Sequence, residues 1–236
     1  MKCGVVVFPG SNCDHDAYHV LRHVLHQDTV FLWHGDEDLG GCELVVLPGG
    51  FSYGDNLRSG AMAAHSPVMA AVRRHAEAGG LVLGICNGFQ ILTEAGLLPG
   101  ALVRNRTLRF ECRDVYLRCE RNDLPFTCRY RQGQVLRVPI AHSEGCYQDA
   151  APALDALEHN GQIVWRYVNR HGEATDDANV NGSAHAVAGI CNSAGNVLGM
   201  MPHPERCAEE ILGNTDGLEL FAGLVGAGLV LAGEPS

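Results

Sequence analysis

The chain is poor in basic residues. Its 236 residues include 17 Lys and Arg against 27 Asp and Glu, giving a formal net charge of -10. Nucleic-acid binding that ignores base sequence depends on Lys and Arg side chains that neutralise phosphates. This charge balance therefore argues against a nucleic-acid partner.

Long apolar runs are also missing. No stretch reaches the roughly 18 consecutive apolar residues that a membrane-spanning helix requires. The apolar run at residues 4–8 ends at Pro9 and Gly10, which makes it too short for a signal-peptide core. We expect a cytoplasmic protein without a membrane partner, in which the glycine-rich residues 220–233 form a packed C-terminal helix.

The chain has ten cysteines but no C-x-x-C pair. It is too long for a small disulfide scaffold, and most cysteines lie in apolar, strand-like runs, as Cys191 does. A free thiol in such a run acts as a small hydrophobic side chain. We therefore infer a reducing compartment and expect no metal site. The four histidines near the N-terminus are expected to face solvent: His15, His19, His23 and His26.

The first half of the chain alternates strand and helix patterns. Apolar runs that end in glycine or proline predict buried strands, and an apolar spacing of three and four residues predicts helices. The expected strands are 4–10, 30–34, 43–50 and 81–85, with helices around Ala17–Leu25, at 67–78 and at 88–95. In the loop before the first helix, Ser11 or Asn12 is expected to cap it. This alternation predicts a mainly parallel sheet flanked by helices.

The middle and the end of the chain have a different pattern of apolar and polar residues. Residues 113–120, 126–130 and 134–142 alternate without a helical period and predict a small antiparallel strand region. Residues 149–186 give little signal apart from a strand at 162–168. Two further strands are expected on either side of a turn at 193–195, followed by a helix from about 216. No linker or internal repeat is visible, so we predict a single α/β domain over 1–236.

Cys86 stands where a buried strand meets a helix. The surrounding segment, Gly84-Ile85-Cys86-Asn87-Gly88, has the G-x-C-x-G pattern of a nucleophile elbow, in which small residues let a sharp turn close. The N-terminus of a helix favours a thiolate, and its free amides can hold an oxyanion. Cys86 is therefore the candidate nucleophile; a structural cysteine in an ordinary turn is the alternative.

A cysteine nucleophile needs a base, and the base needs a group that orients it. In the segment Met201-Pro202-His203-Pro204-Glu205, Pro204 favours an extended His203. Side chains two apart in an extended segment point the same way, so Glu205 can orient the His203 ring. A second candidate segment contains Gly49 and Gly50, at the end of a predicted strand where backbone can approach a ligand.

These motifs together resemble the class I, or triad, glutamine amidotransferases. Longer blocks between residues 5 and 206, such as "VLPGGFSYGDNLRSGA" and "GICNGFQILTEAGLLPGAL", are similar to the glutaminase subunits of phosphoribosylformylglycinamidine synthase. The resemblance implies a fold of that class. It also implies that Cys86 attacks the glutamine side chain, while His203 moves protons and Glu205 orients it. Amides at Gly50 and Asn87 would then form the oxyanion hole, and Gln90 would contact the substrate.

The resemblance also implies partners. Ammonia would pass to a large synthetase subunit that uses ATP and magnesium in purine biosynthesis, and a small subunit would bridge the complex. This chain has no G-x-x-x-x-G-K-[ST] motif, so no cofactor is expected in it. This chain departs from the usual residues of the family at four positions, namely Asn56, Ser59, Ser143 and Cys146.

The nearby Arg58, His142 and Glu144 are expected to face either the substrate or the partner. The residues alone also allow other readings of the chain: a glutaminase of another amidotransferase, a stand-alone cysteine hydrolase, or a non-enzymatic redox module.

Overall fold

The computed structural model describes residues 1–231 and has a nine-stranded sheet at its centre. The strands are β1 Lys2–Val7, β2 Asp28–Trp33, β3 Leu44–Leu47, β4 Leu81–Ile85, β5 Ala101–Val103, β6 Glu111–Cys119, β7 Val135–His142, β8 Cys146–Gln148, β9 Ile163–Val168, β10 Val187–Cys191 and β11 Val197–Met200. The helices are α1 Asp14–His19, α2 Pro67–Glu77, α3 Asn87–Glu94, α4 Ala151–His159 and α5 Leu218–Leu231.

Strand order across the large sheet is β2-β1-β3-β4-β11-β10-β9-β6-β7. The first five strands in this order are parallel, and the remaining four continue the same sheet with antiparallel pairing. Strands β5 and β8 form a separate antiparallel pair. The α/β class with an antiparallel region is confirmed, and that region extends the main sheet rather than standing apart from it.

The central parallel strands β3 and β4 are covered on both faces. Every residue of β3 and β4 is buried, as their uninterrupted apolar runs predict. Strands β4 and β11 are adjacent and parallel, with Gly84 opposite Gly199 and Ile85 opposite Met200. Their carboxyl ends therefore lie side by side, which brings the segments around Cys86 and His203 to one edge of the sheet.

Several local predictions hold. Helix α2 begins at Pro67 after Ser66, and α3 follows β4 directly. All four N-terminal histidines are exposed, as expected. Residues 220–231 of the expected C-terminal helix lie in α5, and 232–233 fall outside the described residues. Between residues 1 and 231, no helix combines the length and the apolarity needed to cross a membrane.

Two local predictions are wrong, and one helix has no counterpart among the predictions. Residues 126–130 form a turn, because Thr127 and Cys128 donate backbone hydrogen bonds to Leu124 instead of to a neighbouring strand. Helix α4 lies in the region that gave no clear signal, and only Leu154 and Leu157 of its residues are buried. Helix α1 has Cys13 at its N-cap without a side-chain cap, and the Ser11 hydroxyl donates instead to the Gly49 carbonyl, 3.1 Å away.

Candidate active site

Cys86 occupies a strained turn between β4 and α3. Its backbone has φ 50° and ψ -104°, a region that costs a non-glycine residue on the order of 1–3 kcal/mol. The turn closes because its neighbours lack side chains: a Cβ at Gly88 would lie 1.9 Å from the Leu47 carbonyl oxygen. The Cys86 amide donates to the Met200 carbonyl at 2.8 Å, which ties the turn to β11.

His203 and Glu205 form a buried pair just beyond β11. The two atoms Nδ1 of His203 and Oε1 of Glu205 are 2.6 Å apart, and both side chains are almost completely removed from solvent. A short 3₁₀ turn at Pro204–Arg206 brings the carboxylate back to the ring. Since Nδ1 is engaged, the proton-accepting position of the ring is Nε2, which has no hydrogen-bond partner among the described residues.

The charge state of His203 follows from this pairing. Burial alone lowers its pKa, but the Glu205 carboxylate and the nearby Cys86 sulfur outweigh burial and raise the pKa overall. Both acidic neighbours favour the imidazolium form, because each places negative charge beside the ring. The raised pKa therefore favours the imidazolium form of His203 beside the Cys86 turn.

Gly49 lies against both His203 and Cys86. A Cβ built on Gly49 would lie 2.7 Å from Cε1 of His203 and 3.4 Å from Cβ of Cys86. Any larger residue would push the imidazole away from the sulfur. This packing gives the first glycine of the Pro48-Gly49-Gly50 segment a specific role beyond flexibility.

The predicted oxyanion and substrate residues lie around the same turn. Gly50 has φ +133°, and a Cβ there would be 2.7 Å from the Asn12 amide. Asn87 is the first residue of α3, so its amide has no acceptor within the helix. The Asn87 side chain accepts from the Ser52 amide at 3.2 Å and donates to Gln90 at 2.9 Å. Gln90 in turn donates to the Glu144 carbonyl at 2.6 Å, so its amide holds the cleft wall.

A narrow cleft opens beside Cys86. Its walls come from the loop after β3, from α3 and from the end of β7, and they comprise Gly50, Phe51, Asp55, Ser59, Cys86, Gln90, Ala141, His142, Ser143 and Glu144. The carbonyl oxygen of Ala141 lies 3.7 Å from the Cys86 sulfur. The cavity volume is about 10 Å³, room for about one water molecule. The cleft must widen before a larger ligand can reach the sulfur.

Sequence reasoning missed the support behind the triad. The Arg206 guanidinium donates to the Cys13 sulfur at 2.8 Å and to Asp16 at 3.3 Å. Cys13, His203 and Glu205 each offer one potential metal-ligand atom, and these three atoms lie within 4.8 Å of one another. The guanidinium opposes a further cation there, and the His203–Glu205 hydrogen bond already uses one atom of each side chain. The arrangement therefore fits a proton-transfer site better than a metal centre.

The three residues expected to face either the substrate or the partner differ in burial. His142 is buried in the cleft wall, whereas Arg58 lies at the surface and forms a two-pronged pair with Glu94, both contacts at 2.5 Å. Glu144 has its carboxylate 3.4 Å from the Ser59 amide. Burial and the positive charge of His203 lower the pKa of His142 to about 4.

The fold is that of a glutamine amidotransferase domain, and comparisons with known proteins show the family. The family model of the CobB/CobQ-like glutamine amidotransferase domain matches residues 1–217. Phosphoribosylformylglycinamidine synthase subunit PurQ of Gloeobacter violaceus is 59% identical over 231 residues, covering 98% of this chain and 100% of the relative. The corresponding subunit of Moorella thermoacetica is 59% identical over 225 residues and 95% of each chain. This chain therefore belongs to the PurQ family of glutamine amidotransferase domains.

Solved structures show the same relationship. The chain is similar to one in the structure of PurLQS from Thermotoga maritima, with a TM-score of 0.85, 43% identity, and coverage of 96% of this chain and 98% of that one. The glutaminase domain of Trypanosoma brucei CTPS with bound acivicin is 12% identical, with a TM-score of 0.60 and coverage of 96% and 94%. This second likeness supports the fold alone.

Proposed function

We propose that this chain is the glutaminase subunit of a phosphoribosylformylglycinamidine synthase, and that it hydrolyses glutamine to glutamate and ammonia. The observation that carries the chemistry is the buried His203–Glu205 pair at 2.6 Å beside the strained Cys86 turn. The observation that carries the pathway is the similarity of nearly the whole chain to PurQ subunits.

In this mechanism the Cys86 thiolate attacks the carboxamide carbon of glutamine. The oxyanion that forms accepts hydrogen bonds from the amides of Gly50 and Asn87, with Gly49 leaving space beside it. His203 transfers the former thiol proton to the departing ammonia, and Glu205 holds the ring in position. A water molecule activated by His203 then hydrolyses the thioester, releasing glutamate and restoring the thiol.

The ammonia passes to a large synthetase subunit, which uses ATP and magnesium to convert formylglycinamide ribonucleotide to formylglycinamidine ribonucleotide. A small subunit bridges the assembly. No cofactor, metal, nucleic acid or membrane is assigned to this chain, and its compartment is the cytoplasm. The partner assignment is supported by the PurLQS structure.

A Cys86→Ala variant tests this function in the complex reconstituted with the synthetase and the small subunit. We expect glutamine-dependent synthesis to fall by at least about 1,000-fold, because the nucleophile is lost, while added ammonia still supports synthesis. Cys42→Ala is the matched control, since Cys42 and Cys86 are both 5% exposed and Cys42 lies outside the cleft. Glutamine-dependent synthesis that persists in Cys86→Ala would contradict the proposal.

A further inference from the structure

His142 is a buried histidine at the nucleophile that the triad does not use. It is the last residue of β7 and is 3% exposed. The preceding residue, Ala141, has its carbonyl oxygen 3.7 Å from the Cys86 sulfur, and His142 lines the same cleft. His142 therefore lines the cleft into which the carboxamide of a bound glutamine must enter to react with Cys86.

Asn105 fixes which nitrogen of the His142 ring carries the proton. The Asn105 amide nitrogen donates to the carbonyl oxygens of Arg109 and His142, both at 2.9 Å. The Asn105 Oδ1 atom must therefore be the acceptor, and it also accepts from the Gly145 amide at 3.0 Å. Because Oδ1 lies 3.1 Å from His142 Nδ1, that nitrogen carries the hydrogen and donates it.

The other ring nitrogen is consequently an acceptor without a partner. Nε2 of His142 is buried and makes no hydrogen bond to any described residue. The lowered pKa of His142 keeps the ring neutral near pH 7, so Nε2 presents a lone pair and no proton. A buried polar atom without a partner is uncommon, and in a ligand cleft it marks a contact that the ligand completes.

We propose that Nε2 of His142 accepts a hydrogen bond from the carboxamide nitrogen of bound glutamine and thereby selects glutamine against glutamate. The inference rests on the proposed function. A carboxamide has N–H donors, whereas a carboxylate has only acceptor oxygens. A glutamate side chain would place an anionic oxygen against the His142 lone pair and the Ala141 carbonyl. The same contact turns the carboxamide so that its oxygen points away from His142, toward the oxyanion amides.

Two variants separate this role from simple packing. His142→Phe keeps a planar ring but removes the acceptor, so we expect kcat/KM for glutamine to fall about 10- to 100-fold. His142→Gln supplies a side chain that can rotate to donate. We therefore expect glutamate to inhibit this variant more strongly than the wild type. The ratio of the glutamate inhibition constant to KM for glutamine should fall by at least about fivefold.

Asn181→Ala is the control for loosening of the same loop. Asn181 donates to the Gly145 carbonyl at 2.7 Å and to Tyr167 at 3.2 Å, and it does not touch the cleft. We expect this variant to leave the ratio of the glutamate inhibition constant to glutamine KM unchanged. All measurements use the assembled synthase, where ammonia-dependent synthesis reports that each variant has folded and docked.

The outcomes are distinct. The specificity role would be overturned if His142→Gln kept the wild-type ratio of the glutamate inhibition constant to glutamine KM. It would also be overturned if His142→Phe and Asn181→Ala lost kcat/KM for glutamine equally and neither changed that ratio. Both results would leave the glutaminase function standing. A wild-type complex that does not hydrolyse glutamine would remove both proposals. If the His142 variants fail to fold, ¹⁵N-histidine NMR of the wild-type chain still decides the tautomer, and a proton found on Nε2 would refute the inference.

Discussion

At the scale of single residues, the site depends on a few side chains whose environments differ sharply. His203 and His142 are both buried near Cys86, yet Glu205 raises the pKa of the first, while burial lowers that of the second to about 4. The imidazolium form is thus favoured at His203 and the neutral form at His142. Neighbouring groups that are held in different protonation states are typical of sites that separate proton transfer from recognition.

The lowered pKa of His142 predicts a pH dependence of stability. The folded pKa of about 4 lies below the ordinary value of 6.5, so between these pH values the unfolded chain binds more protons. Stability from this group is therefore present above about pH 6.5 and is lost as the pH falls toward 4. The difference corresponds to a free energy of unfolding on the order of 3 kcal/mol.

Urea unfolding of the isolated chain between pH 7 and pH 4 measures this effect. We expect the free energy of unfolding of His142→Phe to fall less across this range than that of the wild type. The variant His171→Gln, at an exposed histidine, should follow the wild-type curve. Parallel curves for His142→Phe and the wild type would show that His142 is protonated in the folded chain as readily as in the unfolded one.

At the scale of elements, the turn from β4 to α3 depends on close backbone packing. Strand β3 lies beside β4, and its Leu47 carbonyl occupies the space that a side chain at Gly88 would need. Gly84 is similarly enclosed, because a Cβ there would lie 2.5 Å from Leu92 and 2.7 Å from the Gly88 carbonyl oxygen. The two glycines of the G-x-C-x-G pattern are therefore fixed by packing between elements as well as by the turn itself.

Gly88→Ala tests this packing. A methyl group 1.9 Å from the Leu47 oxygen forces α3 away from β3, so we expect a loss of about 3 kcal/mol or more in the free energy of unfolding. The control is Gly226→Ala in α5, where no atom of the residues that the structure describes lies within 4 Å of the added carbon. There the better helix propensity of alanine should raise stability by up to about 1 kcal/mol. Equal stability of the two variants, measured by urea unfolding, would contradict the packing argument.

The strand predicted at 126–130 did not form, and helix α4 was not predicted, because the local apolar pattern in each segment does not reflect its tertiary surroundings. Residues 126–130 have the composition of a strand, but their backbone groups find local turn partners, so no neighbouring strand is needed. Helix α4 is short and largely exposed, which leaves too few buried positions to give a clear period. Strand β4 and helix α3 were accessible from sequence because burial on both sides of the turn imposes a strong apolar pattern.

At the scale of the whole molecule, exposed apolar side chains lie in the cleft-lining loop and in the loop that packs against it through Phe51. Phe51, which lines the cleft, stacks with Phe110 at a centroid distance of 6.4 Å. Leu57, in the same loop as Phe51, is 89% exposed, and Leu108 is 76% exposed. Exposed apolar groups beside a closed cleft are expected where a partner docks and opens it. The loop from Phe51 to Arg58 is therefore the predicted contact with the synthetase.

Leu57→Asp tests this docking contact. A carboxylate at the centre of an apolar interface must be desolvated, so we expect affinity for the synthetase to fall at least tenfold, as measured by titration calorimetry. Ile211→Asp is the matched control, because Ile211 is equally exposed at 89% and lies outside the cleft. Equal affinities of the two variants would place the docking surface elsewhere.

The sequence by itself determined the α/β class, the elbow at Cys86 and the pairing of His203 with Glu205. These features depend on local periodicity and on spacings of two to four residues, which a linear chain displays directly. Only the tertiary structure decided that Gly49 lies against both His203 and Cys86, that Arg206 reaches Cys13, and that Asn105 sets the tautomer of His142. Those contacts join residues 37 to 193 positions apart, and only the folded arrangement of the strands and of the loops at their ends brings such residues together.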